Sequence, residues 1–390
     1  MKGNPSSSLT EMPLAFAENF RARSRGREFG FKGEFADSAL TRETGCDVAF
    51  GKGKHDLPVN EKTYSGPASV ITIDCQFLQP GRVAAYLILE QDRAAFVDNS
   101  TTRAVPILLR TLKECGLRPE QVECLILTHI HLDHWAGTSA LLKACPNAVV
   151  LVHPRATRHL IDPSRIVFSA EKVHGKEILE AVYGRIEAVE AGRIRPVEDG
   201  ERLPFGDRML TFLHTPGHAK HHICIHDSKS QGVFTGDTFG FSHGPLRQSS
   251  PPCLLASCPP TDFDPVAARA TIERIAATGA ERAYLSHFGE YGPVPEGAAQ
   301  LIQTLDQLEG ILSQAAADGP HGDQLETFLE GRVRMATEEL VMKNCGLSLS
   351  EEAWMELEPE IQMNARGLAH AVRKLILPDP GNRHPDYLPS

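Results

Sequence analysis

One short stretch constrains the chain more than any other, because an apolar strand breaks directly into a dense group of polar side chains. Leu125 to Leu127 predict a buried strand, and His129, His131, Asp133 and His134 follow it closely. Side chains two residues apart in an extended segment point the same way, so the first two histidines project together. Three imidazoles and a carboxylate make a poor core but suit a borderline cation such as zinc or iron.

The helix after this stretch is predicted to begin at Trp135 and to continue through Leu142, with Asp133 and His134 at the turn before it. Taken singly, an aspartate before a helix is usually an N-cap, and a single histidine is usually a hydrogen-bonded bystander. Four such residues within six positions behind a buried strand favour a metal site over both readings.

Composition and charge limit the other functions. The chain has 390 residues, 41% of them hydrophobic, and a net charge of −10, which argues against a nucleic-acid groove. The sequence shows no apolar run long enough to span a bilayer and no apolar signal segment near its start. A transit peptide over residues 21–27 is disfavoured by nearby acidic residues. We therefore expect a cytoplasmic protein with a small-molecule substrate and no nucleic-acid or membrane partner.

The nine cysteines are scattered, and no CxxC pair occurs. An odd number without paired spacing is not typical of a disulfide framework, so we expect reduced cysteines in a reducing compartment. Cys75, Cys124 and Cys224 lie in apolar runs, where we expect buried thiols that pack as small hydrophobic groups.

Composition and the spacing of apolar residues divide the chain into three predicted parts. Residues 1–66 form an N-terminal extension, with a helix near residues 14–23. The extension is either an arm that lies over the rest of the chain or over a partner subunit, or it is a loosely ordered tail. Residues 67–296 are predicted to form the central domain, which contains the histidine stretch. Residues 297–390 carry leucines at helix spacing and form a helical appendage, with Pro359 near the start of its last helix. The appendage offers core and docking surface; a homodimer contact or a lid is the alternative.

The predicted strands of the central domain follow the two-residue pattern of half-buried sheets or short buried runs. They cover residues 70–73, 84–89, 94–97, 125–127, 148–152, 209–214, 223–226, 232–235 and 282–287. Helical patterns lie near residues 108–115 and 176–183. The chain places His218, Asp237 and His287 at or just after three of the later strand ends, where open sheets carry their sites.

Together these residues resemble the motifs of the metallo-β-lactamase superfamily, over about residues 68 to 292. The matching positions are Asp98, the stretch from His129 to His134, His218, Asp237 and His287. The resemblance implies an α/β fold, an αββα sandwich, here with the helical appendage. It points to the binuclear hydrolase branch, which includes glyoxalase II and lactonase-like proteins.

The resemblance also implies a division of the ligands between two divalent metal ions. One ion is assigned to His129, His131 and His218, the other to Asp133, His134 and His287, and Asp237 bridges them. Asp98 is assigned to support a ligating histidine by a hydrogen bond. Seven donors are too many for one tetrahedral ion. Imidazoles and carboxylates favour zinc, with iron or manganese as alternatives.

The implied reaction is hydrolysis by a metal-bridging hydroxide, with Asp133 passing a proton to the leaving group. The expected substrate is a small anionic ester, thioester or lactone, which His243 or Arg247 can also contact. Residues 155–185 and 238–262 are expected to shape the cleft. Several lactonases of the superfamily carry a tyrosine where this chain has Gly240.

Three alternatives remain open on the sequence. The first is an oxidoreductase that resembles the mononuclear iron persulfide dioxygenases and uses His129, His218 and Asp237. The second is a phosphodiesterase, and the third is a non-catalytic metal-binding sensor.

Overall fold

The computed structural model describes residues 70–260, 262–322 and 324–376. The predicted extension over residues 1–66, with its helix near residues 14–23, lies outside the described residues. Within the described ranges, every helix is too short or too polar to cross a membrane.

The first sheet has six strands in sequence order, β1-β2-β3-β4-β5-β6. They are β1 (Val70–Asp74), β2 (Ala84–Glu90), β3 (Arg93–Val97), β4 (Val122–Ile126), β5 (Val149–Val152) and β6 (Ile194–Pro196). The first three form an antiparallel meander, and β4, β5 and β6 continue the sheet in parallel. The predicted strands of this half are confirmed. Apolar runs identify them because parallel strands covered on both faces typically consist of continuous apolar residues.

The second sheet also has six strands, in the order β12-β11-β10-β9-β8-β7. They are β7 (Arg202–Phe205), β8 (Arg208–His214), β9 (Ile223–Asp227), β10 (Gly232–Phe241), β11 (Arg282–His287) and β12 (Gly289–Tyr291). The predicted strands are confirmed, but β10 runs on past its predicted end at residue 235. A bulge after Gly236 lets the strand pair again with β11, where Phe241 lies opposite His287.

The helices cover the outer faces of the two sheets and form the C-terminal region. They are α1 (Val105–Glu114), α2 (Leu132–Trp135), α3 (Thr138–Ala144), α4 (Thr157–Ile161), α5 (Ser164–His174), α6 (Lys176–Tyr183), α7 (Pro265–Ala276), α8 (Val294–Asp318), α9 (Gln324–Cys345) and α10 (Glu351–Ile376). Helices α1 to α6 share an apolar cluster with the first sheet, and α7 and α8 share one with the second. A third cluster, which includes Tyr86 and Phe234, lies between the sheets. The predicted αββα sandwich with a helical appendage is confirmed.

The helix after the histidine stretch begins earlier than predicted and is interrupted. α2 already contains Asp133 and His134, and the chain breaks at Gly137 before α3 starts. A Cβ atom at Gly137 would lie 2.7 Å from the carbonyl oxygen of Thr101. The break therefore allows close backbone packing against the loop after β3, whose Asn99 N–H donates to the carbonyl of His134 at 2.9 Å.

A buried ion network ties the two sheets together at the ends of three strands. The guanidinium of Arg208 in β8 donates to Glu90 of β2 through Nε at 3.0 Å and to Asp227 of β9 at 2.5 Å. Lys229 donates to both oxygens of Glu90, at 2.7 and 2.9 Å. Since the side chains of Arg208, Glu90 and Asp227 are completely buried, their charges depend on one another for compensation.

The C-terminal helices pack partly on the catalytic core and partly on each other. Val294, Leu301 and Leu305 in the first half of α8 belong to the apolar cluster of the second sheet. The second half of α8 packs with α9 and α10 in a cluster of its own. The boundary at residue 296 stays a prediction. The sequence analysis predicts Pro359 near the start of the last helix, and this prediction is wrong. Pro359 lies in the interior of α10.

One expectation about the cysteines is wrong. Cys253, in the segment after β10, forms a disulfide with Cys345 at the end of α9. The two positions are 92 residues apart, so local spacing gives no sign of the pair. The bond joins the catalytic part to the appendage covalently. The other six cysteines of the described chain are free, and Cys75, Cys124 and Cys224 are buried as predicted.

Candidate metal centre

All seven candidate ligands converge at one end of the sandwich. His129 and His131 follow β4, Asp133 and His134 lie in α2, His218 follows β8, Asp237 lies in β10, and His287 ends β11. They form two neighbouring groups, each with one donor atom per residue within 4.8 Å of the others. The first group is His129, His131, His218 and Asp237, and the second is Asp133, His134 and His287.

In the first group, three ring nitrogens face a common point. His131 Nδ1 lies 3.0 Å from His129 Nε2 and 3.0 Å from His218 Nε2. Asp237 Oδ2 completes the group at 3.4 Å from His218 Nε2 and 3.8 Å from His129 Nε2.

The second group shares the other oxygen of the same aspartate. Asp237 Oδ1 lies 3.4 Å from His134 Nε2 and 3.5 Å from His287 Nε2. Asp133 Oδ2 lies 3.5 Å and 3.4 Å from the same two nitrogens. The carboxylate of Asp237 therefore stands between the two groups and offers one oxygen to each, as a bridging ligand requires.

This donor set fits a pair of cations. Four ligands at about 2.0–2.1 Å from a tetrahedral ion are separated from one another by roughly 3.3 Å, close to the spacings in both groups. Within the described chain, His134 Nε2 and Asp237 Oδ1 are buried without a hydrogen-bond partner. Buried polar atoms are normally partnered, and these two atoms lie 3.4 Å apart at the second group, where a shared cation would partner both.

Electrostatics in the metal-free centre separate the two groups. Burial lowers the pKa of His129 and His218 well below the usual range, which keeps both rings neutral and ready to ligate. Burial also opposes protonation of His287, but Asp237 and Asp133 outweigh it and raise the pKa of that ring to about 10. Asp133 remains ionised, because His134 and His287 overcome the effect of burial and lower its pKa to about 2.

The supporting role assigned to Asp98 matches the geometry. Asp98 Oδ2 accepts a hydrogen bond from His134 Nδ1 at 3.0 Å, which leaves Nε2 of that ring facing the centre. The carboxylate is itself held by Thr128, whose N–H donates to Oδ1 at 2.9 Å, and by Ser286, whose hydroxyl donates to Oδ2 at 3.1 Å. Partners of this kind fix the tautomer and orientation of a ligating histidine.

His222 supports the centre through the backbone of Asp237. Its Nδ1 pairs with the hydroxyl of Thr215 at 2.9 Å, and its Nε2 accepts a hydrogen bond from the N–H of Asp237 at 3.2 Å. The residue before Asp237 is Gly236, with φ of +51°. A Cβ atom there would lie 2.3 Å from His222 Nε2, so only glycine allows the ring to reach the backbone of Asp237.

The third support comes from the C-terminal appendage, and local sequence patterns give no sign of it. His287 Nδ1 donates to the carbonyl of Arg82 at 3.0 Å. The guanidinium of Arg82 in turn donates to Glu360 of α10 at 2.6 Å, and Glu360 also pairs with His243 at 3.1 Å. The appendage thus reaches the wall of the centre through Glu360.

A cleft that is partly open to solvent lies over the two groups. The predicted access regions contribute to it as expected. Ala170 and His174 come from α5, and the end of β10 and the segment after it contribute Gly240, Phe241, His243, Ser257, Pro259, Pro260 and Asp262. The last helix adds Pro359, Glu360 and Met363. Away from the ligands the wall is mainly apolar.

Two details of the cleft bear on the sequence analysis. Gly240 has φ of +72°, and a Cβ atom there would lie 2.3 Å from the carbonyl oxygen of Leu255, so a tyrosine cannot occupy this position. Arg247 does not line the cleft, because its guanidinium donates to the carbonyls of Phe288 and Glu290 at 2.7 and 3.2 Å. His243 lines it as expected, but paired with Glu360.

A family model of the metallo-beta-lactamase superfamily matches residues 78–287. The metallo-beta-lactamase fold-containing protein ST1585 of Sulfurisphaera tokodaii is 31% identical over 140 residues, which cover 35% of this chain and 52% of that protein. The human acyl-coenzyme A thioesterase MBLAC2 is 42% identical over 117 residues, 29% of this chain and 39% of that protein. The hydroxyacylglutathione hydrolase of Stenotrophomonas maltophilia is 29% identical over 173 residues, 44% and 52% of the two chains.

The matched segment spans about half the length of these curated relatives or less. The solved structure of ST1585 superposes on 77% of this chain and 98% of its own, with a TM-score of 0.53 at 20% identity, which shows the shared fold. The matched family model covers more than half of the 390 residues and includes every candidate ligand. On these grounds the chain belongs to the metallo-β-lactamase superfamily.

Proposed function

We propose that the chain is a metal-dependent hydrolase that uses two divalent ions, zinc by preference, to cleave an acyl thioester, ester or lactone. The observation that carries the proposal is the position of Asp237, whose two oxygens face two separate donor groups at 3.4–3.8 Å. A single-ion site has no need for the second group of Asp133, His134 and His287.

When bound, the two ions would lower the pKa of a shared water and polarise the scissile carbonyl oxygen. The chain supplies the remaining steps. The imidazoles and Asp237 fix the geometry, and Asp98 and His222 hold two of these ligands in place. Asp133 lines the cleft and is ionised in the metal-free centre, so it can accept a proton from the attacking water. It then passes the proton to the leaving group.

The leaving group distinguishes the candidate substrates. A thiol has a pKa near 8.5, so a thiolate departs with little help from an acid. An alkoxide needs a proton as it leaves, and Asp133 is the one carboxylate besides Asp237 in the donor set that can deliver it. Because Asp133 is ionised at neutral pH, it carries a proton only after it has taken one up during the reaction, and a thiolate leaving group does not depend on that transfer. This supports a thioester over an oxygen ester.

The cleft supports the same choice. Phe77, Phe241, Met363 and neighbouring prolines provide an apolar wall for an acyl group. Arg82, the one arginine among the described residues that line the cleft, is paired with Glu360. Two relatives carry the names acyl-coenzyme A thioesterase and hydroxyacylglutathione hydrolase, and both names describe acyl groups on thiol carriers.

The test is a substrate panel built on one acyl group, run on zinc-loaded protein. It compares a thioester, an oxygen ester, a lactone and a phosphodiester, with metal content measured on the same sample. We expect the largest kcat/KM for the thioester and two ions per chain. In Asp237→Ala we expect loss of turnover together with loss of at least one ion. Asp318→Ala, an exposed aspartate on α8, is the matched control and retains turnover and both ions.

Three results would each contradict the proposal. One iron per chain with oxygen consumption would identify the dioxygenase alternative. Turnover of the phosphodiester alone would identify a phosphodiesterase. Two tightly held ions without any turnover across the panel would identify a sensor.

A further inference from the structure

A second cavity opens beside the metal cleft, on the other side of His221. Its lining consists of residues 154–161 without Ala156 and Leu160, together with Lys220, His221 and Asp262. His221 and Asp262 also line the metal cleft, so the two spaces adjoin. The His221 ring centre lies 6.2 Å from that of His131, which places the cavity one side chain away from a candidate metal ligand.

The side chains around this cavity are strongly cationic. Arg155, Arg158 and Lys220 are exposed and line it, and Asp262 is the one acidic side chain in the described lining. Lys220 Nζ lies 3.9 Å from Asp262 Oδ1, at the outer limit of an ion pair. Among the described residues, neither arginine has a carboxylate within ion-pair distance. The chain as a whole carries a net charge of −10, so this cluster opposes the overall charge.

The two arginines stand on a rigid local frame. His153 Nδ1 accepts a hydrogen bond from the N–H of Arg155 at 3.0 Å and caps the short turn that leads into α4. Residues three apart on a helical turn lie on the same face, so both guanidinium groups face the same region. Arg158 Nε donates to His159 Nε2 at 3.0 Å, which holds its side chain and leaves the terminal nitrogens free to donate. Planar guanidinium groups with free donors suit phosphate and carboxylate oxygens.

We propose that Arg155, Arg158 and Lys220 form an anion-binding subsite for the thiol carrier of the substrate. The acyl group then lies along the apolar wall of the metal cleft, the thioester carbonyl lies at the ligands, and the carrier passes His221 into the cationic cavity. The subsite rests on the proposed thioester hydrolysis and adds to it the class of carrier, a thiol that bears phosphate or carboxylate groups. Arg155 and Arg158 contact the carrier and none of the reacting atoms, so they determine specificity and act on KM.

The test uses three thioesters with one acyl group and different carriers. Coenzyme A bears phosphates, glutathione bears carboxylates, and N-acetylcysteamine bears no charge. In the double variant Arg155→Gln/Arg158→Gln, we expect kcat/KM for the preferred anionic carrier to fall about 10- to 100-fold through KM, from the loss of two charge-assisted contacts. Hydrolysis of the N-acetylcysteamine thioester should be unchanged. The anionic carrier whose thioester shows the larger fall in kcat/KM identifies the bound group, which is phosphate for coenzyme A and carboxylate for glutathione.

The matched control is Arg110→Gln/Lys113→Gln on α1, which removes the same charge from exposed positions outside both cavities. An equal loss in this control would assign the effect to net charge and overturn the subsite. Equal loss for charged and neutral carriers, or no loss for any of them, would overturn it as well.

A binding experiment separates this proposal from the proposed function. S-methyl-coenzyme A and S-methylglutathione carry the same anionic groups but have no thioester bond. Isothermal titration calorimetry should give a Kd for the preferred analogue that is about 10- to 100-fold higher in the double variant than in the unmodified chain. If no thioester is hydrolysed but this difference is found, the subsite stands and thioester hydrolysis fails. If thioesters are hydrolysed but both analogues bind the two proteins equally well, the subsite fails.

Discussion

Replacement of Asp98 by asparagine tests how the centre depends on a residue that does not ligate. Thr128 N–H needs an acceptor at the Oδ1 position, where it donates at 2.9 Å. The side-chain NH2 group of the asparagine therefore takes the Oδ2 position and faces Nδ1 of His134. In the unmodified protein this nitrogen lies 3.0 Å from Asp98 Oδ2. Two donors cannot share that contact, so His134 either loses its partner or changes tautomer and carries its proton on Nε2, the atom that faces the centre.

The size of the effect follows from this change of tautomer. Loss of such a supporting partner typically weakens metal binding 10- to 100-fold, which corresponds to about 1.4–2.8 kcal/mol. The loss should fall on the ion held by Asp133, His134 and His287. Binding of the ion held by His129, His131 and His218 should be weakened less, because Asp98 is linked to this group indirectly, through the Thr128 hydroxyl that pairs with His129 Nδ1 at 3.1 Å.

A chelator competition measures this directly. As the chelator concentration rises, Asp98→Asn should pass through a stage with one ion per chain under conditions where the unmodified protein keeps two. Ser286→Ala is the control, since it removes one donor to Asp98 and leaves the carboxylate in place. The same affinity for both ions in Asp98→Asn and in the unmodified protein would refute the assigned role of Asp98.

The other predictions concern the ion network, the appendage and the pH dependence of metal binding. Arg208→Met should lower the free energy of unfolding by about 3–5 kcal/mol in urea, because it leaves Asp227 buried without its cation; Arg93→Met, at an exposed ion pair, should cost no more than about 1 kcal/mol, and equal losses would contradict the role of burial. Glu360→Gln should raise KM for the acyl substrate more than it lowers kcat, since Glu360 lines the cleft and reaches the ligand His287 only through Arg82; a loss confined to kcat would argue against this. Burial raises the pKa of Glu360, but Arg82 and His243 outweigh it and lower the pKa, so in the unmodified protein this contact stabilises the docked helix at neutral pH and is lost only in acid. Because the pKa of His287 is raised to about 10 in the metal-free protein, a dication must displace a proton there. Zinc affinity should therefore rise with pH up to about 10, and zinc added to the metal-free protein in weak buffer should release protons. A zinc affinity that does not change between about pH 7 and pH 9 would contradict this.

Local sequence patterns account for most of the fold because the strands of this protein are short, buried and bounded by polar turns. The apolar run at Leu125 to Leu127 predicts a covered strand, and its abrupt end at His129 predicts a site at the strand end. The αββα arrangement itself came from the resemblance of the motifs and not from the periodicity. The structure places all seven candidate ligands together, while the presence of two ions remains a prediction.

The features that the sequence did not reveal depend on contacts between distant residues. Arg82 and Glu360 are 278 positions apart, and Cys253 and Cys345 are 92 apart, so no local pattern connects either pair. The early start of α2 and its break at Gly137 depend on the approach of the loop after β3. Thr128 and Ser286 each directly precede a candidate ligand, and this adjacency is a signal that can identify such supporting residues in advance.

The central claim is that Asp237 bridges two ions, and elemental analysis of purified protein tests it most directly. The unmodified chain should contain two divalent ions per molecule after removal of loosely bound metal. Asp237→Ala should retain its fold by circular dichroism but lose at least one of the two ions. One ion per chain in the unmodified protein, or two ions in both proteins, would contradict the account.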